Sequence, residues 1–322
     1  MKKRMYFLNF GIDEDEIDKV KKYLKSIKEI GYFNGEKNQK IYYEKYIIND
    51  SKGNIVILHG FSECIEKYTE LIYYLTKEKY NVFIMEHRGH GRSGNLGKSD
   101  KTQINVEDFN FYVNDVKTFI DNVIDIKYKE DLYLFTHSMG GAIGTMFIEK
   151  YPNYFKKAIL SSPMFNIAIG NIPIFMAKII VKLALLLGKG DNFIFGNMPY
   201  ESIYDFNIAS TSNEWRYSYC HKEILNNEEL QRGGGSFKWL YEALCAITYI
   251  FKKENIKNIN IPILICEAGK DELVGKHISK KFKKKCSTCK VEIFEKAQHE
   301  IYSENDDILE KYMNYILDFL EG

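Results

Sequence analysis

Short apolar runs alternate with longer amphipathic segments along most of the chain. The runs of strand length lie at 55–58, 82–85, 132–135, 158–160, 261–266 and 291–294. Continuous apolar runs of this kind are typical of strands that are buried on both faces. Because segments of helical length separate most of them, the pattern predicts an α/β fold with a mostly parallel, twisted sheet flanked by helices.

The two ends of the chain add further elements. A leading helix is expected near 13–30, and two strands are expected across 31–48, with Asn34 and Gly35 as the turn between them. An amphipathic helix is expected at 307–320. Between 163 and 260 the alternation stops, because this stretch has helical and irregular sequence without a comparable strand.

Ser138 stands where the strand at 132–135 gives way to the apolar segment 142–148. A strand that turns sharply into a helix strains its central residue, so the positions two before and two after, here Thr136 and Gly140, need small side chains. Such a nucleophile elbow exposes the serine hydroxyl at a helix N-terminus, where free N–H groups favour a developing anion. An ordinary strand-to-helix turn is the alternative, since so short a pattern also arises by chance.

Two residues downstream are the expected partners of this serine. Asp271 lies in the loop after the strand at 261–266, and His299 follows the strand at 291–294. Taken singly, Asp271 is a common turn residue and His299 could be a surface histidine. The order serine, acid, histidine, each after a later strand, nevertheless favours a catalytic triad of Ser138 as nucleophile, Asp271 as acid and His299 as base.

A triad that attacks a carbonyl also needs donors for the oxyanion. The strand at 55–58 opens into a glycine loop, and we expect the backbone N–H groups of Phe61 and Met139 to form the oxyanion hole. Gly60 and Gly140 allow the backbone to approach closely. A plain turn with a buried His59 is the alternative interpretation.

The chain resembles the α/β-hydrolase superfamily, and within it the bacterial lysophospholipase and monoacylglycerol lipase group (serine aminopeptidase S33-like hydrolases). The segments that carry the resemblance are His59-Gly60-Phe61-Ser62-Glu63, 86–94, 136–143, Gly269-Lys270-Asp271 and Ala297-Gln298-His299-Glu300, with weaker signals at 207–212, 216–217 and 233–239. The first elbow position is usually glycine in this family and is Thr136 here.

The resemblance implies an α/β-hydrolase core of residues 1–162 and 261–322, with a mainly helical cap, residues 163–260, inserted over the active site. It also implies a serine hydrolase that cleaves the acyl ester of lysophospholipids through an acyl-enzyme. The alternatives are a monoacylglycerol lipase, a general carboxylesterase, a serine peptidase and a non-enzymatic binding protein on the same fold.

The most apolar stretch, 172–187, opens the expected cap. It is shorter than the ~20 apolar residues of a membrane span, and Lys178 and Lys182 interrupt it on one face. It either contacts acyl chains or a lipid surface, or packs on the core. Arg216, further along the cap, is either structural or phosphate-facing, and the glycine-rich loop 88–94 is expected to be structural because it lacks a phosphate-loop motif.

Charge and cysteine content restrict the expected binding partners and the expected cellular compartment. Forty-five basic and forty-four acidic residues leave a formal charge of +1, which gives no bulk attraction to nucleic acid. Six cysteines do not suggest a disulfide framework, and Cys286-Ser287-Thr288-Cys289 is expected to be a reduced surface loop. We therefore expect a cytoplasmic enzyme that needs no metal or cofactor and no obligate protein partner, with peripheral contact at the inner face of the membrane left open.

Overall fold

The computed structural model describes residues 14–169, 172–275 and 277–322, and its centre is one eight-stranded sheet. The strands are β1 (Lys28–Asn34), β2 (Lys40–Tyr46), β3 (Gly53–Leu58), β4 (Tyr80–Met85), β5 (Leu132–His137), β6 (Lys157–Ser161), β7 (Ile263–Ala268) and β8 (Cys289–Phe294). All six strands expected from the later apolar runs are therefore present, and the predicted α/β-hydrolase architecture is confirmed.

The strands lie in the order β1-β2-β4-β3-β5-β6-β7-β8. Only β2 runs antiparallel to its neighbours β1 and β4, whereas β3 to β8 are parallel to one another. Since parallel strands end at the same edge of a sheet, the loops after β3, β5, β7 and β8 open at one edge.

Helices cover both faces of the sheet. They are α1 (Glu14–Ile27), α2 (Thr69–Lys77), α3 (Asn110–Asn122), α4 (Met139–Lys150), α5 (Ile174–Leu186), α6 (Glu214–Leu225), α7 (Phe237–Ile250), α8 (Lys253–Ile256), α9 (Ile278–Lys283) and α10 (Asp306–Glu321). In β3, Val56 and Leu58 pack with α3, α4 and α7, while Ile55 and Ile57 pack with α1, α2 and α10. Both faces of this strand are thus apolar, which explains its unbroken hydrophobic run.

The N-terminal prediction needs one correction. The expected hairpin is present, but α1 ends at Ile27, and residues 28–30 belong to β1 instead of the helix. Lys28 pairs with Tyr46 and Ile30 with Glu44, so pairing with β2 overrides the local helical pattern. The expected start of the helix, Asp13, lies outside the described residues.

The segment between β6 and β7 contains α5 to α8 and, in its described part, no strand. α7 packs against both α5 and α4, and its buried residues belong to the same hydrophobic cluster as those of α4. The segment is therefore anchored on the sheet-flanking helices through α7. Its treatment as a separate cap of residues 163–260 stays a prediction.

Two local expectations can be compared with the coordinates. Nowhere in the described ranges is a helix both long and apolar enough to cross a bilayer, in agreement with the interpretation of 172–187. The expectation of a surface loop at the cysteine pair is wrong, because Cys286 and Cys289 are only 3% and 4% exposed. Both thiols lie in the apolar cluster around α4 and α9, which the neighbouring lysines did not reveal in the sequence.

Three fully buried histidines lie beneath the loops that follow β3 and β4. The rings of His87 and His90 lie 4.4 and 5.2 Å from that of His59, and the His87 ring nitrogens have no partner among the described residues. Burial lowers the pKa of all three, and the proximity of His59 lowers the pKa of His87 and His90 further. All three are therefore neutral in the folded protein near neutral pH.

Acidification is expected to destabilise the fold through these histidines. Because their folded-state pKa values lie below the unfolded value of about 6.5, their contribution is complete above that pH and is lost below it, at up to ~1.4 kcal/mol per pH unit for each group. His137, Glu66 and Glu149 act in the opposite sense, because their pKa values are raised. The contribution of the three histidines is therefore measured as the difference between variant and wild type, from urea denaturation at about pH 7 and pH 5.

His87→Phe removes one titrating ring, so between about pH 7 and pH 5 its free energy of unfolding should fall less, or rise more, than that of wild type. The control is His277→Asn. The His277 side chain is 68% exposed, and asparagine tolerates the left-handed backbone conformation of this position. An unchanged slope in His87→Phe, or an equal change in His277→Asn, would contradict the assignment.

Candidate active site

Ser138 occupies a strained turn between β5 and α4. Its backbone has φ 50° and ψ −116°, which places a non-glycine residue in the left-handed half of conformational space. The turn is held by its own backbone: Ser138 N–H donates to Ser161 O at 3.1 Å, and Ser138 O accepts from Gly141 and Met164 N–H, both at 2.8 Å. The strain is therefore fixed by the sheet and by the start of α4, as expected for a nucleophile elbow.

The two small positions of the elbow are accommodated differently. A Cβ on Gly140 would lie 2.2 Å from Leu58 O, so no side chain fits there. Thr136 is fully buried, and its methyl group occupies space that Gly144 leaves open, since a Cβ on Gly144 would lie 2.6 Å from Thr136 Cγ2. Gly144 thus compensates for the threonine that replaces the usual glycine.

Asp271 and His299 are joined directly. Asp271 Oδ2 lies 2.7 Å from His299 Nδ1, and Oδ1 accepts hydrogen bonds from the N–H groups of Leu273 (2.9 Å) and Val274 (3.1 Å). Asp271 thus stabilises the turn with one oxygen and faces the imidazole with the other. Burial opposes ionisation of Asp271, but His299 and the two N–H donors outweigh it and lower its pKa.

The position of His299 is fixed through its backbone carbonyl. This oxygen accepts a hydrogen bond from Ser162 Oγ at 2.8 Å and lies 3.3 Å from His137 Nε2. Ser138 and His299 line the same cavity, but no hydrogen bond joins them in the described structure. Such contacts are often long without substrate and tighten when it binds. The catalytic roles of the three residues stay a prediction.

The expected oxyanion donors lie on the loop after β3 and at the first residue of α4. Neither Phe61 N–H nor Met139 N–H donates a hydrogen bond to another described residue, and helix N-termini leave such donors free. Gly60 supports the first loop: its N–H donates to Glu63 Oε2 at 2.6 Å, and a Cβ there would lie 2.9 Å from the same carboxyl group.

A buried charged network, which the sequence interpretation missed, lies behind the imidazole. Glu63 Oε1 lies 2.9 Å from His137 Nδ1 and 3.8 Å from Lys67 Nζ, and the hydroxyls of Tyr68 and Tyr302 donate to the same carboxylate. Burial opposes both charges, but Glu63 raises the pKa of His137, and His137 and Lys67 lower the pKa of Glu63. The only indication of this network in the sequence is that Glu63 and His137 each lie close along the chain to a predicted site residue.

A cavity of about 790 Å³ opens above Ser138 and His299. Its apolar walls come largely from 164–195 and from α7, and its polar lining groups include Ser62, Glu63, Lys67, Ser210 and Glu300. No group of three or more His, Cys, Asp or Glu residues in the described ranges is arranged to hold a metal ion. The cavity combines a mostly apolar lining with a few polar and charged groups, among them Glu300 next to His299.

The fit between Thr136 and Gly144 gives a direct test of the elbow. Gly144→Ala is expected to lower the free energy of unfolding by about 1–3 kcal/mol, because the added methyl group overlaps the Thr136 side chain. Thr136→Ser removes that Cγ2 atom, so the double variant should recover most of the loss. Chemical denaturation of the two single variants and the double variant measures the coupling.

Gly190→Ala is the matched control, since its Cβ would meet nothing closer than 3.6 Å. Strictly additive effects of Thr136→Ser and Gly144→Ala would show that the two positions do not compensate for each other.

Comparison with known proteins identifies the family of this chain. A family model described as serine aminopeptidase, S33, matches residues 49–306. A probable lysophospholipase L2 from Haemophilus influenzae is 28% identical over 291 residues, or 90% of this chain and 91% of that protein. A monoacylglycerol lipase from Mycolicibacterium smegmatis is 25% identical over 225 residues, or 70% of this chain and 72% of that protein.

A solved structure shares the fold over most of its length. A soluble variant of monoglyceride lipase from Saccharomyces cerevisiae, in complex with a substrate analog, aligns with a TM-score of 0.70 at 20% identity, covering 92% of this chain and 96% of that one. Because the family model spans most of the sequence, the chain belongs to the serine aminopeptidase S33 family of α/β hydrolases, as its motifs predicted.

Proposed function

We propose that this protein is a serine hydrolase that cleaves the acyl ester of lysophospholipids and releases a free fatty acid. The observation that carries the proposal is the hydrogen-bonded Asp271–His299 pair, whose histidine lines an apolar cavity together with a serine on a strained turn. Relatives named lysophospholipase and monoacylglycerol lipase support ester hydrolysis as the reaction class.

The first half-reaction forms an acyl-enzyme. His299 removes the proton from the Ser138 hydroxyl as the oxygen attacks the ester carbonyl, and Asp271 orients the imidazole and stabilises its cationic form. The N–H groups of Phe61 and Met139 donate to the oxyanion of the tetrahedral intermediate. His299 then protonates the departing alcohol, which carries the headgroup.

The second half-reaction releases the fatty acid. A water molecule takes the place of the leaving alcohol, His299 removes its proton, and the resulting nucleophile attacks the acyl-enzyme carbonyl. The second tetrahedral intermediate uses the same two N–H donors. Its collapse returns the proton from His299 to Ser138 and frees the carboxylic acid.

The shape of the cavity supports a single-chain lipid. Its volume of about 790 Å³ lies in the range of small-molecule pockets, and most of the residues that line it with Ser138 are apolar. The apolar lining includes Met164, Ile167, Ile180, Val181, Ile194, Phe195, Leu240 and Val274. A peptide substrate would leave its amide groups without partners against these walls.

The outer surface of α5 supports contact with a lipid surface. Only Ala177 and Val181 are buried on this helix, whereas Phe175, Leu183 and Leu186 are 65%, 54% and 74% exposed. The alternative of a helix simply packed on the core therefore accounts for one narrow face only. Since other residues of α5 line the cavity, we propose that this helix rests on the membrane and admits lipid monomers from it.

The substrate class is tested with four esters or amides. Wild-type protein should hydrolyse lysophosphatidylcholine and monoacylglycerol, with less activity on a short nitrophenyl ester and none on an aminoacyl amide. Ser138→Ala should lower kcat on the lipids by about 10⁴-fold or more, because the nucleophile is lost. Released fatty acid, quantified by mass spectrometry, gives the rates.

Ser202→Ala, at an exposed serine between α5 and α6, is the control and should keep full activity. Turnover of the amide alone would overturn the lipid proposal. Equal activity of Ser138→Ala and wild type would overturn the serine mechanism.

Membrane contact is tested by cosedimentation with phosphatidylcholine vesicles. The triple variant Phe175→Ser, Leu183→Ser and Leu186→Ser should bind vesicles at least about tenfold more weakly, because full burial of each large apolar side chain contributes ~1.5–3 kcal/mol. Hydrolysis of a soluble short ester should be unchanged.

Ile126→Ser is the matched control, since Ile126 is 83% exposed and lies between α3 and β5. Vesicle binding that is as strong in the triple variant as in this control would exclude α5 as the contact surface.

A further inference from the structure

One charged pair lines the cavity beside the imidazole. Lys67 Nζ lies 2.5 Å from Glu300 Oε1, and the two side chains keep 16% and 13% of their exposure. Lys67 follows the loop after β3, and Glu300 directly follows His299 in the chain and donates its N–H to Ser210 O at 2.8 Å. The pair is thus positioned by the same loops that carry Phe61 and His299.

The neighbouring carboxylate does not compete for a ligand. Glu63 is already bound by the Gly60 N–H, by two tyrosine hydroxyls and by His137, and only 5% of its side chain is exposed. Glu300 Oε2, by contrast, has no partner in the described part of the chain. An ammonium carries three hydrogens, so Lys67 also keeps a donor that neither Glu300 nor Glu63 uses.

Three arginines of the sequence motifs already form ion pairs with other residues. Arg216, one candidate for contact with phosphate, is buried and bound to Glu70, to Asp306 and to Glu304 O. Arg88 pairs with Asp115, and Arg92 pairs with Glu86 and Glu66. These contacts make all three arginines structural, and none of them lines the cavity.

We propose that Lys67 and Glu300 form a headgroup subsite that recognises a zwitterionic phosphodiester-amine, with the phosphate on Lys67 and the ammonium group on Glu300. This assignment rests on the proposed lysophospholipid hydrolysis and specifies its substrate class. A ligand that carries both charges replaces the water around both members of the pair. In this arrangement the headgroup of the leaving alcohol contacts Lys67 and Glu300, and the acyl chain contacts the apolar lining of the same cavity.

The charge balance discriminates among headgroups. Glu63 and His137 neutralise each other, so Lys67 and Glu300 together present no net charge. A purely anionic phosphate gains Lys67 but faces Glu300, whereas a neutral glycerol forms hydrogen bonds without gaining from either charge. The expected order of kcat/KM is therefore phosphocholine and phosphoethanolamine lysolipids first, monoacylglycerol next and lysophosphatidate last.

The test measures kcat and KM for four substrates with one acyl chain: lysophosphatidylcholine, lysophosphatidylethanolamine, lysophosphatidate and monoacylglycerol. Glu300→Gln should raise KM for the two zwitterionic substrates about tenfold, with kcat within about threefold, because a charge-assisted contact made before the chemical step is lost. KM for monoacylglycerol should change by less than about threefold. Discrimination against lysophosphatidate should decrease.

Glu223→Gln is the matched control, because Glu223 forms an ion pair with Lys21 away from the cavity and undergoes the same change. Lys67→Met serves as a second variant with the same expected selectivity. A thermal melt accompanies each variant, since Lys67→Met leaves Glu63 and Glu300 without their cation.

A second measurement uses headgroups without an acyl chain. Glycerophosphocholine should inhibit hydrolysis of a short nitrophenyl ester competitively in wild type, and Glu300→Gln should lose most of this inhibition. Glycerol 3-phosphate should inhibit weakly in both. Because these headgroups have no acyl chain, their inhibition can be measured even in a variant that acts poorly on lipid aggregates.

The outcomes separate the two proposals. Equal losses on all four substrates in Glu300→Gln, or unchanged KM for both zwitterionic lysolipids, would overturn the headgroup subsite while leaving lysophospholipid hydrolysis intact. A wild-type protein that hydrolyses monoacylglycerol through Ser138 but none of the lysophospholipids would overturn the proposed function itself.

Discussion

The hydrogen bond between Asp271 and His299 is the interaction on which the site depends. The two residues lie on loops after neighbouring parallel strands, and the 2.7 Å contact between Oδ2 and Nδ1 joins those loops at the edge where Ser138 leaves β5. With Nδ1 held by the carboxylate, Nε2 is the nitrogen left to exchange a proton in the cavity. The parallel order of the sheet brings together groups that lie more than a hundred residues apart in sequence.

Around this contact the protein separates an apolar region from a charged one. The residues between β6 and β7 supply much of the apolar lining of the cavity, and the segments after β3 and β8 supply its charged groups Glu63, Lys67 and Glu300. The charged side is stabilised by mutual neutralisation, with His137 and Lys67 both close to Glu63. A substrate with one apolar chain and one charged headgroup matches this division, which links the architecture to the proposed reaction.

Much of this arrangement could be predicted from the sequence. The parallel strands carry unbroken apolar runs, and Ser138, Asp271 and His299 each follow such a run, so local pattern located both the elements and the residues. The predicted end of α1 was wrong because Lys28 to Ile30 pair with β2, and this tertiary contact overrides the local helical pattern. The pairing of Lys67 with Glu300 joins residues 233 positions apart and leaves no local signature. The burial of Cys286 and Cys289 was likewise hidden, because the adjacent lysines suggested an exposed loop.

The central claim is that Asp271 and His299 activate Ser138, and covalent labelling tests it most directly. A fluorophosphonate with a long alkyl chain reacts with activated serines, and the modified peptide can be located by mass spectrometry after digestion. The account predicts a single adduct on Ser138, and a labelling rate that falls by ~10²-fold or more in Asp271→Asn because the imidazole loses its orienting carboxylate. An adduct on a different residue, or an unchanged rate in Asp271→Asn, would contradict it.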